Sequence, residues 1–348
     1  MMVQQNRVNL TWQAIVTFIS AYLLFTLACC TPSVSHQSEF ALGTVCSVTL
    51  PDKARTEVFN AVFTRLHEIE DRFSVNKNGT EVDEINAKAG AEPVRVSADV
   101  LTVIEKSLSY AEISVGAFDP TIGPLVKLWG IGFDDPHIPS QTEIDAVLPL
   151  VNWQNVRIDS DGVFLTKSGM ALDLGGIVKG YAADEAARIL TANKVKRAVI
   201  DLGGNIFVFG RKKDGSSWRI GVQNPLSERG DSVGVVETVG NKTMVTSGVY
   251  ERFFEVDGVS YHHILSTENG FPVRNGLLSV TVIADSSIDA DALSTALFAL
   301  GFEKGIALAE SLDGVDALFI FEDKTIRGDQ GAIECFSLVD NEWTILGR

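Results

Sequence analysis

The chain has 348 residues, 45% hydrophobic and 21% charged, which suits one large globular domain or two intimate smaller ones. Thirty Gly and ten Pro, spread along its length, punctuate many short elements and exclude a coiled coil, a solenoid or a disordered chain. Acids outnumber bases 45 to 29, a formal charge of −16, and no stretch of sequence gathers Lys and Arg into a basic patch, so nucleic acid is excluded as a partner. Any phosphate held by so acidic a chain needs a metal ion or backbone N–H groups to offset the shared negative charge.

The first element is an apolar run over residues 14–28 behind a segment whose single charge is Arg7. It is short of the roughly 20 residues of a membrane span and suits the core of a signal peptide. The run stops at Ala28-Cys29-Cys30 and a polar stretch follows, a pattern that resembles a bacterial lipoprotein signal. Residues 1–28 then read as signal peptide and 29–39 as tether. Cys29, or Cys30 as the alternative, would carry the lipid and anchor an exported protein to the inner membrane, facing the periplasm. An uncleaved anchor or an ordinary secretory signal fits the same residues. Cys46 and Cys335 lie far apart in strand-like stretches and read as buried thiols.

From Phe40 the periodicity predicts a strand over Leu42–Leu50 and a helix over Ala54–Phe73, with Val58, Val62, Leu66 and Ile69 at helical spacing. A loop follows at Asn76–Thr80, then a helix over Val100–Ile113 capped by Ser97 or Asp99. Residues 134–150, with three Pro, read as a surface excursion. Ala171–Gly210 reads as strand, helix, strand, the helix running about 14 residues from Gly180. Strands dominate Trp218–Ala284, a long helix is expected over Ile288–Ser311, and short strands end the chain. This mixture lacks a regular βαβ cycle and predicts an α+β fold with a largely antiparallel sheet, as one folded unit over residues 40–348.

The common phosphate, zinc and serine-nucleophile signatures are absent. Three constellations remain. Asp173-Leu-Gly-Gly-Ile-Val-Lys179-Gly breaks a strand at paired glycines before a helix, where a ligand can approach the backbone and an anion can meet the helix N-terminus and Lys179. An ordinary strand-to-helix turn would look the same. Asp291 and Thr295 are i and i+4 on one helix face, hard oxygen donors of the kind Mg²⁺ takes, or else a helix-start Asp and a back-bonded Thr. Tyr261-His262-His263-Ile264-Leu265 is strand-like, so only one of the two histidines can line a given site.

Read in order with Leu42-Gly-Thr, Gly116-Ala-Phe-Asp-Pro and Thr246-Ser-Gly-Val-Tyr-Glu-Arg252, these segments resemble the FAD:protein FMN transferases, the ApbE family, from about Phe40 to at least Gly301. The resemblance implies a T-fold-related, two-lobed protein with FAD bound in a cleft between the lobes. It implies Mg²⁺-dependent cleavage of the FAD diphosphate, release of AMP, and attachment of FMN to a Thr hydroxyl of an acceptor flavoprotein subunit in the membrane or periplasm. Carried over by position, FAD would be contacted by Leu42, Asn76, Ala117, Phe118, Asp119, Asp173, Lys179 and Leu265. Metal ligands would be the Gly176 backbone oxygen, Asp291 and Thr295, with Ser294 beside them. His263 would be the base for the acceptor hydroxyl, and Asp291 and Lys179 would complete the catalytic set.

The sequence departs from the family pattern at three places. Asn76 stands where relatives commonly carry Tyr, which removes a stacking face worth on the order of 1 kcal/mol and favours hydrolysis of FAD to FMN and AMP. Ser266-Thr267 replaces Asp-Pro and is expected to loosen the turn after His263. Leu42 replaces Met, a volume-conserving exchange. Two other functions use the same site: an FAD pyrophosphatase, in which water replaces the Thr hydroxyl, and an FAD-storing lipoprotein.

Overall fold

A computed structural model describes residues 35–52 and 56–347; the expected signal peptide, Cys29 and Cys30 lie outside them. Strands β1 (Ser35–Ala41) and β2 (Thr44–Leu50) form a hairpin that leads into helix α1 (Thr56–Phe73). Helices α2 (Glu81–Ala87), α3 (Ala98–Ile113), α4 (Gly123–Trp129) and α5 (Gln141–Val147) follow, then the small hairpin β3 (Val156–Asp159) and β4 (Gly162–Leu165). Helix α6 (Val178–Ala192) precedes the hairpin β5 (Arg197–Leu202) and β6 (Asn205–Gly210). Next come β7 (Trp218–Gln223), β8 (Ser232–Thr238), β9 (Lys242–Gly248), the ribbon β10 (Phe253–Val256) and β11 (Val259–His262), and β12 (Leu277–Ala284). The chain closes with α7 (Ser287–Leu300), α8 (Phe302–Glu310), β13 (Asp316–Phe321), β14 (Thr325–Gly328), α9 (Gln330–Cys335), β15 (Phe336–Leu338) and β16 (Thr344–Gly347).

Nine strands form the main sheet in the order β1-β2-β5-β6-β9-β12-β13-β14-β16. Every neighbouring pair in it is antiparallel except β14 and β16. All eight residues of β12 are buried, because both faces of the sheet are covered there. Val280, Val282 and Ala284 join the main core with α1, α6 and α7. Leu278 and Ile283 join a second core, under the three-stranded sheet β15-β8-β7. A third, smaller core gathers Leu125, Trp129, Ile131, Ile144 and Leu265 into a cap beside the main body. Trp129 is fully buried in it and donates its indole N–H to the Gly270 carbonyl at 2.7 Å. The fold is α+β, as the sequence implies.

Several expectations shift. β1 begins at Ser35, so the last five residues of the expected tether are sheet. The expected helix over Ile288–Ser311 is two helices, broken at Gly301, whose φ of 76° ends α7. The expected strand before Asp173 is reduced to one bridge between Ile122 and Ala171. The surface excursion holds α5, started by a capping box between Ser140 and Glu143. Ser97, rather than Asp99, caps α3. Cys46 is a buried free thiol and Cys335 a half-buried one.

Candidate active site

Between the main body and the Trp129 cap lies a cavity of about 630 Å³. Twelve of the thirteen residues singled out in the sequence line it: Leu42, Asn76, Ala117, Phe118, Asp119, Asp173, Gly176, Lys179, His263, Leu265, Asp291 and Thr295. They come from six separate stretches of chain, and the sheet's turns and the first turns of α6 and α7 bring them together.

One wall is built by α6 and α7. Asp173 Oδ1 accepts the Gly175 N–H at 2.9 Å, which turns the chain toward α6. Lys179 Nζ donates to the Gly175 carbonyl at 3.0 Å and lies 3.9 Å from Asp291 Oδ1. The Gly180 N–H donates to Asp291 Oδ2 at 2.8 Å. Asp291 is almost wholly buried, and that burial raises its carboxyl above the usual range, opposed by Lys179 and by the N–H groups of Gly180 and Lys179. Thr295 follows one turn later, its Oγ1 3.2 Å from Ser247 Oγ. A β-carbon on Gly176 would sit 3.3 Å from both Thr295 Oγ1 and the Phe118 ring, so glycine lets the backbone lie this close to the hydroxyl without displacing either side chain.

Ser294 is the exception. It is fully buried behind the wall, bonded to the Asp291 carbonyl at 2.9 Å and to Ser247 Oγ at 2.8 Å, because neighbouring helix residues point about 100° apart. Its position beside the ligands is therefore a support for α7 and not a place on the cavity surface.

The histidine pair divides as the strand geometry requires. His262 is buried, bonded to the Val273 carbonyl at 2.8 Å and edge-on to Phe298. His263 lines the cavity, with Nδ1 3.2 Å from the Arg252 carbonyl oxygen. A carbonyl only accepts, so Nδ1 carries the proton and Nε2 of the neutral ring keeps a free lone pair. Burial first, then the Arg252 charge, push this imidazole's pKa down to about 3.

Asp119 reaches the cavity with its carboxylate already engaged: Oδ1 accepts from the Thr121 N–H and hydroxyl at 2.8 and 2.7 Å, and Oδ2 from the Trp153 N–H at 2.9 Å. It ties the Ala117–Phe118 loop to the cap. Leu42 sits in the two-residue β1–β2 turn at φ 54°, a strained conformation for a non-glycine residue. Asn76 is exposed at the rim, its N–H bonded to Ser74 Oγ at 3.2 Å. In place of Asp-Pro, Ser266 and Thr267 hold the turn after His263 through hydrogen bonds. Thr267 Oγ1 donates to the Gly116 carbonyl at 2.8 Å, and the Gly270 N–H closes on the Ser266 carbonyl at 2.8 Å.

Arg252, Ser247 and Thr267 also line the cavity, and sequence reasoning gave them no role. Arg252 and Ser247 fall inside the Thr246–Arg252 segment, where the alternation of a strand ending at Gly248 could have pointed to Ser247. Arg252 orients His263 through its backbone carbonyl, which no side-chain pattern reports, and acts on it through its charge as well.

Among the described residues, no three His, Cys, Asp or Glu cluster as metal ligands. The candidate donors on this wall of the cavity are all oxygens: the Asp291 carboxylate and the Thr295 hydroxyl, with the Gly176 backbone beside Thr295. Such a set fits Mg²⁺, which takes few protein carboxylates and completes its shell with water and substrate phosphates.

The sequence model of the ApbE family matches residues 42–319. The chain is 38% identical over 328 residues to a Treponema pallidum protein named FAD:protein FMN transferase, covering 89% of this chain and 90% of that one. It is 40% identical over 287 residues to one of the same name from Klebsiella pneumoniae, covering 82% and 89%. Among solved structures, the ApbE protein of Thermotoga maritima aligns with a TM-score of 0.80 at 33% identity, over 87% of this chain and 99% of that one. The flavin transferase ApbE from Vibrio cholerae aligns at 0.74 and 30%, over 83% and 93%. With likeness of sequence and fold running through the lobes that enclose the cavity, the chain belongs to the ApbE family.

Proposed function

We propose that this protein transfers the FMN moiety of FAD to a Thr hydroxyl of an exported or membrane redox protein, with Mg²⁺ as cofactor and AMP as the released product. The observation that supports it best is the meeting of Asp291, Thr295, Gly176 and Lys179 with His263 on one cavity. The first four suit an activated diphosphate, and the last brings an unprotonated imidazole Nε2 to the same cavity.

FAD is the substrate. Its diphosphate belongs near the N-terminus of α6, where the helix dipole and Lys179 offset the negative charge. Mg²⁺, held by the Gly176 carbonyl, Asp291 and Thr295, would supply the positive charge that phosphoryl transfer in so acidic a protein requires. The chain's own part is positioning and proton transfer. Arg252 holds the His263 ring through Nδ1, and Nε2 takes the proton of the acceptor Thr. The Thr oxygen bonds to the FMN phosphorus, the bond from that phosphorus to the bridging oxygen breaks, and AMP leaves with the oxygen.

Hydrolysis to FMN and AMP uses the same groups, with water in place of the Thr, and the exposed, non-aromatic Asn76 at the rim favours some of it. Export and lipid anchoring at Cys29 or Cys30 are part of the same proposal, supported by the apolar segment 14–28. The test is product analysis of the protein with FAD, Mg²⁺ and a Thr-bearing acceptor domain. An acceptor heavier by one FMN residue with AMP released is expected. An unmodified acceptor with free FMN and AMP makes the protein a pyrophosphatase, and bound but uncleaved FAD makes it a storage protein.

A further inference from the structure

The cavity occupies one end of the main sheet, where the Leu42-Gly43 turn, Gly203 of the β5–β6 turn and Gly248 at the end of β9 line it. The opposite end differs in charge. There β5 starts at Arg197, paired with Gly210, and the sequence runs on as Arg211-Lys212-Lys213. Lys194 and Lys196 approach from the other side of the hairpin. Sequence order separates these two clusters and suggests no basic patch; the hairpin puts them side by side.

Lys194, Lys196, Arg211 and Lys213 are exposed, and none of them makes an ion pair with a carboxylate among the described residues. The acids nearby are few: Asp52 pairs with Arg197 at 2.9 Å, and Asp214 bonds Ser216 Oγ at 2.7 Å. Between them lies a pocket of about 240 Å³ lined by Pro51, Asp52, Arg197, Lys212, Lys213 and Trp218. Arg197 Nη1 is buried in this region without a hydrogen-bond partner among the described residues. Lys212 Nζ lies 5.5 Å from the ring centroid of the buried Trp218, a cation–π contact at the pocket wall.

The N-terminal strand supplies the second observation. Ser35, where β1 begins, pairs with Leu50, two residues before Asp52, so the chain enters the fold at this basic end. Residues 30–34 span at most about 20 Å when extended. A lipid on Cys29 or Cys30 therefore holds the basic end, and not the cavity end, against the bilayer.

We infer that the end of the sheet formed by Lys194–Arg197 and Arg211–Lys213 is a membrane-facing surface that binds anionic phospholipid headgroups. The inference rests on the lipid-anchor reading and adds an orientation to it. Basic groups within a Debye length of an anionic leaflet are attracted to it, and the tether keeps them there. The seven residues of β1, at about 3.3 Å each, then set the cavity about 20 Å farther from the lipid. An acceptor must present its Thr off the membrane surface, not at it.

The test labels the full-length chain on vesicles with an amine-reactive reagent, read lysine by lysine by mass spectrometry. The vesicles are phosphatidylcholine alone or mixed with phosphatidylglycerol. Lys194, Lys196, Lys212 and Lys213 should react several-fold more slowly on the anionic vesicles, high salt should restore them, and Lys77 at the cavity rim should not change. In K212E/K213E the protection of Lys194 and Lys196 should be lost, while transfer to a soluble acceptor persists. Equal labelling on both vesicles, or protection of Lys77 instead, overturns the orientation although the chain still floats with lipid. A chain that floats with neither vesicle removes the anchor, and the inference with it.

Discussion

The Gly180 N–H donates to Asp291 Oδ2 across 111 residues of sequence, and the same glycine lets α6 lie against the start of α7. A β-carbon there would sit 2.1 Å from the Ser287 carbonyl oxygen and 2.7 Å from Ile288 Cα. The obstruction is backbone, so it is relieved only by moving a helix. Gly180→Ala should cost about 1–3 kcal/mol. It should also displace Asp291 and lower FAD cleavage more than the loss of folded protein explains. Thermal melts with activity per folded molecule check this.

Asp291→Asn keeps an oxygen for the Gly180 N–H and removes the charge. If Asp291 helps to hold Mg²⁺, FAD cleavage should fall about 10²-fold or more. The Mg²⁺ concentration for half-maximal activity should rise, while the melting temperature stays near that of the wild type. Cleavage at the wild-type rate in saturating Mg²⁺ would show that the metal is held elsewhere.

The His263 imidazole is depressed to about 3, far below its ordinary 6.5, so it is already neutral at mildly acid pH. The acceptor-transfer rate should therefore show no loss centred near pH 6.5 as pH falls from 8 toward 5. A clear acid limb at that position would mean that the ring is solvated and ordinary.

Asp184 caps α7, accepting from the Ser287 and Ile288 N–H groups at 2.9 Å each. Burial pushes its pKa from 3.8 up to about 6, against those hydrogen bonds. Its folded pKa lies above the unfolded one. The associated stability is thus present below the unfolded value and is lost as pH rises through about 6. Asp184→Asn should abolish roughly 3 kcal/mol of that pH dependence. Melts of both proteins between pH 4 and 7 should diverge at the acid end relative to the neutral end.

Asn76→Tyr adds an aromatic face at the rim without crossing any buried contact, since Asn76 is exposed and bonds Ser74 through its backbone N–H. A gain of about 1 kcal/mol should tighten FAD roughly fivefold and slow its hydrolysis. Equilibrium titration and FMN release measure the two effects separately.

Much of the site is legible along the chain because its parts are local. A helix face sets Asp291 beside Thr295, a strand separates His262 from His263, and the glycine pair before α6 opens the backbone. Ser294 shows the limit: the family resemblance set it beside the metal ligands, but the helix rotates it into the core. The turn after His263 shows another, since Ser266 and Thr267 find partners at Phe271, Gly270 and Gly116 that no local rule supplies.

The tetrapeptide Asp-Leu-Gly-Gly, present twice, separates the two kinds of information. At 201–204 the flanking alternation of β5 and β6 makes it a two-residue hairpin turn, with both glycines at positive φ. At 173–176 the same residues run irregularly into α6, and Gly176 packs on Phe118 and Thr295. Periodicity and turn chemistry, which are short-range, already carry the fold class, and the family resemblance read from the order of motifs names twelve of the residues that line the cavity. Which carbonyl orients His263, which serine stays buried and where the scattered lysines meet depend on contacts across the sheet, because their energies exist only once distant strands have paired.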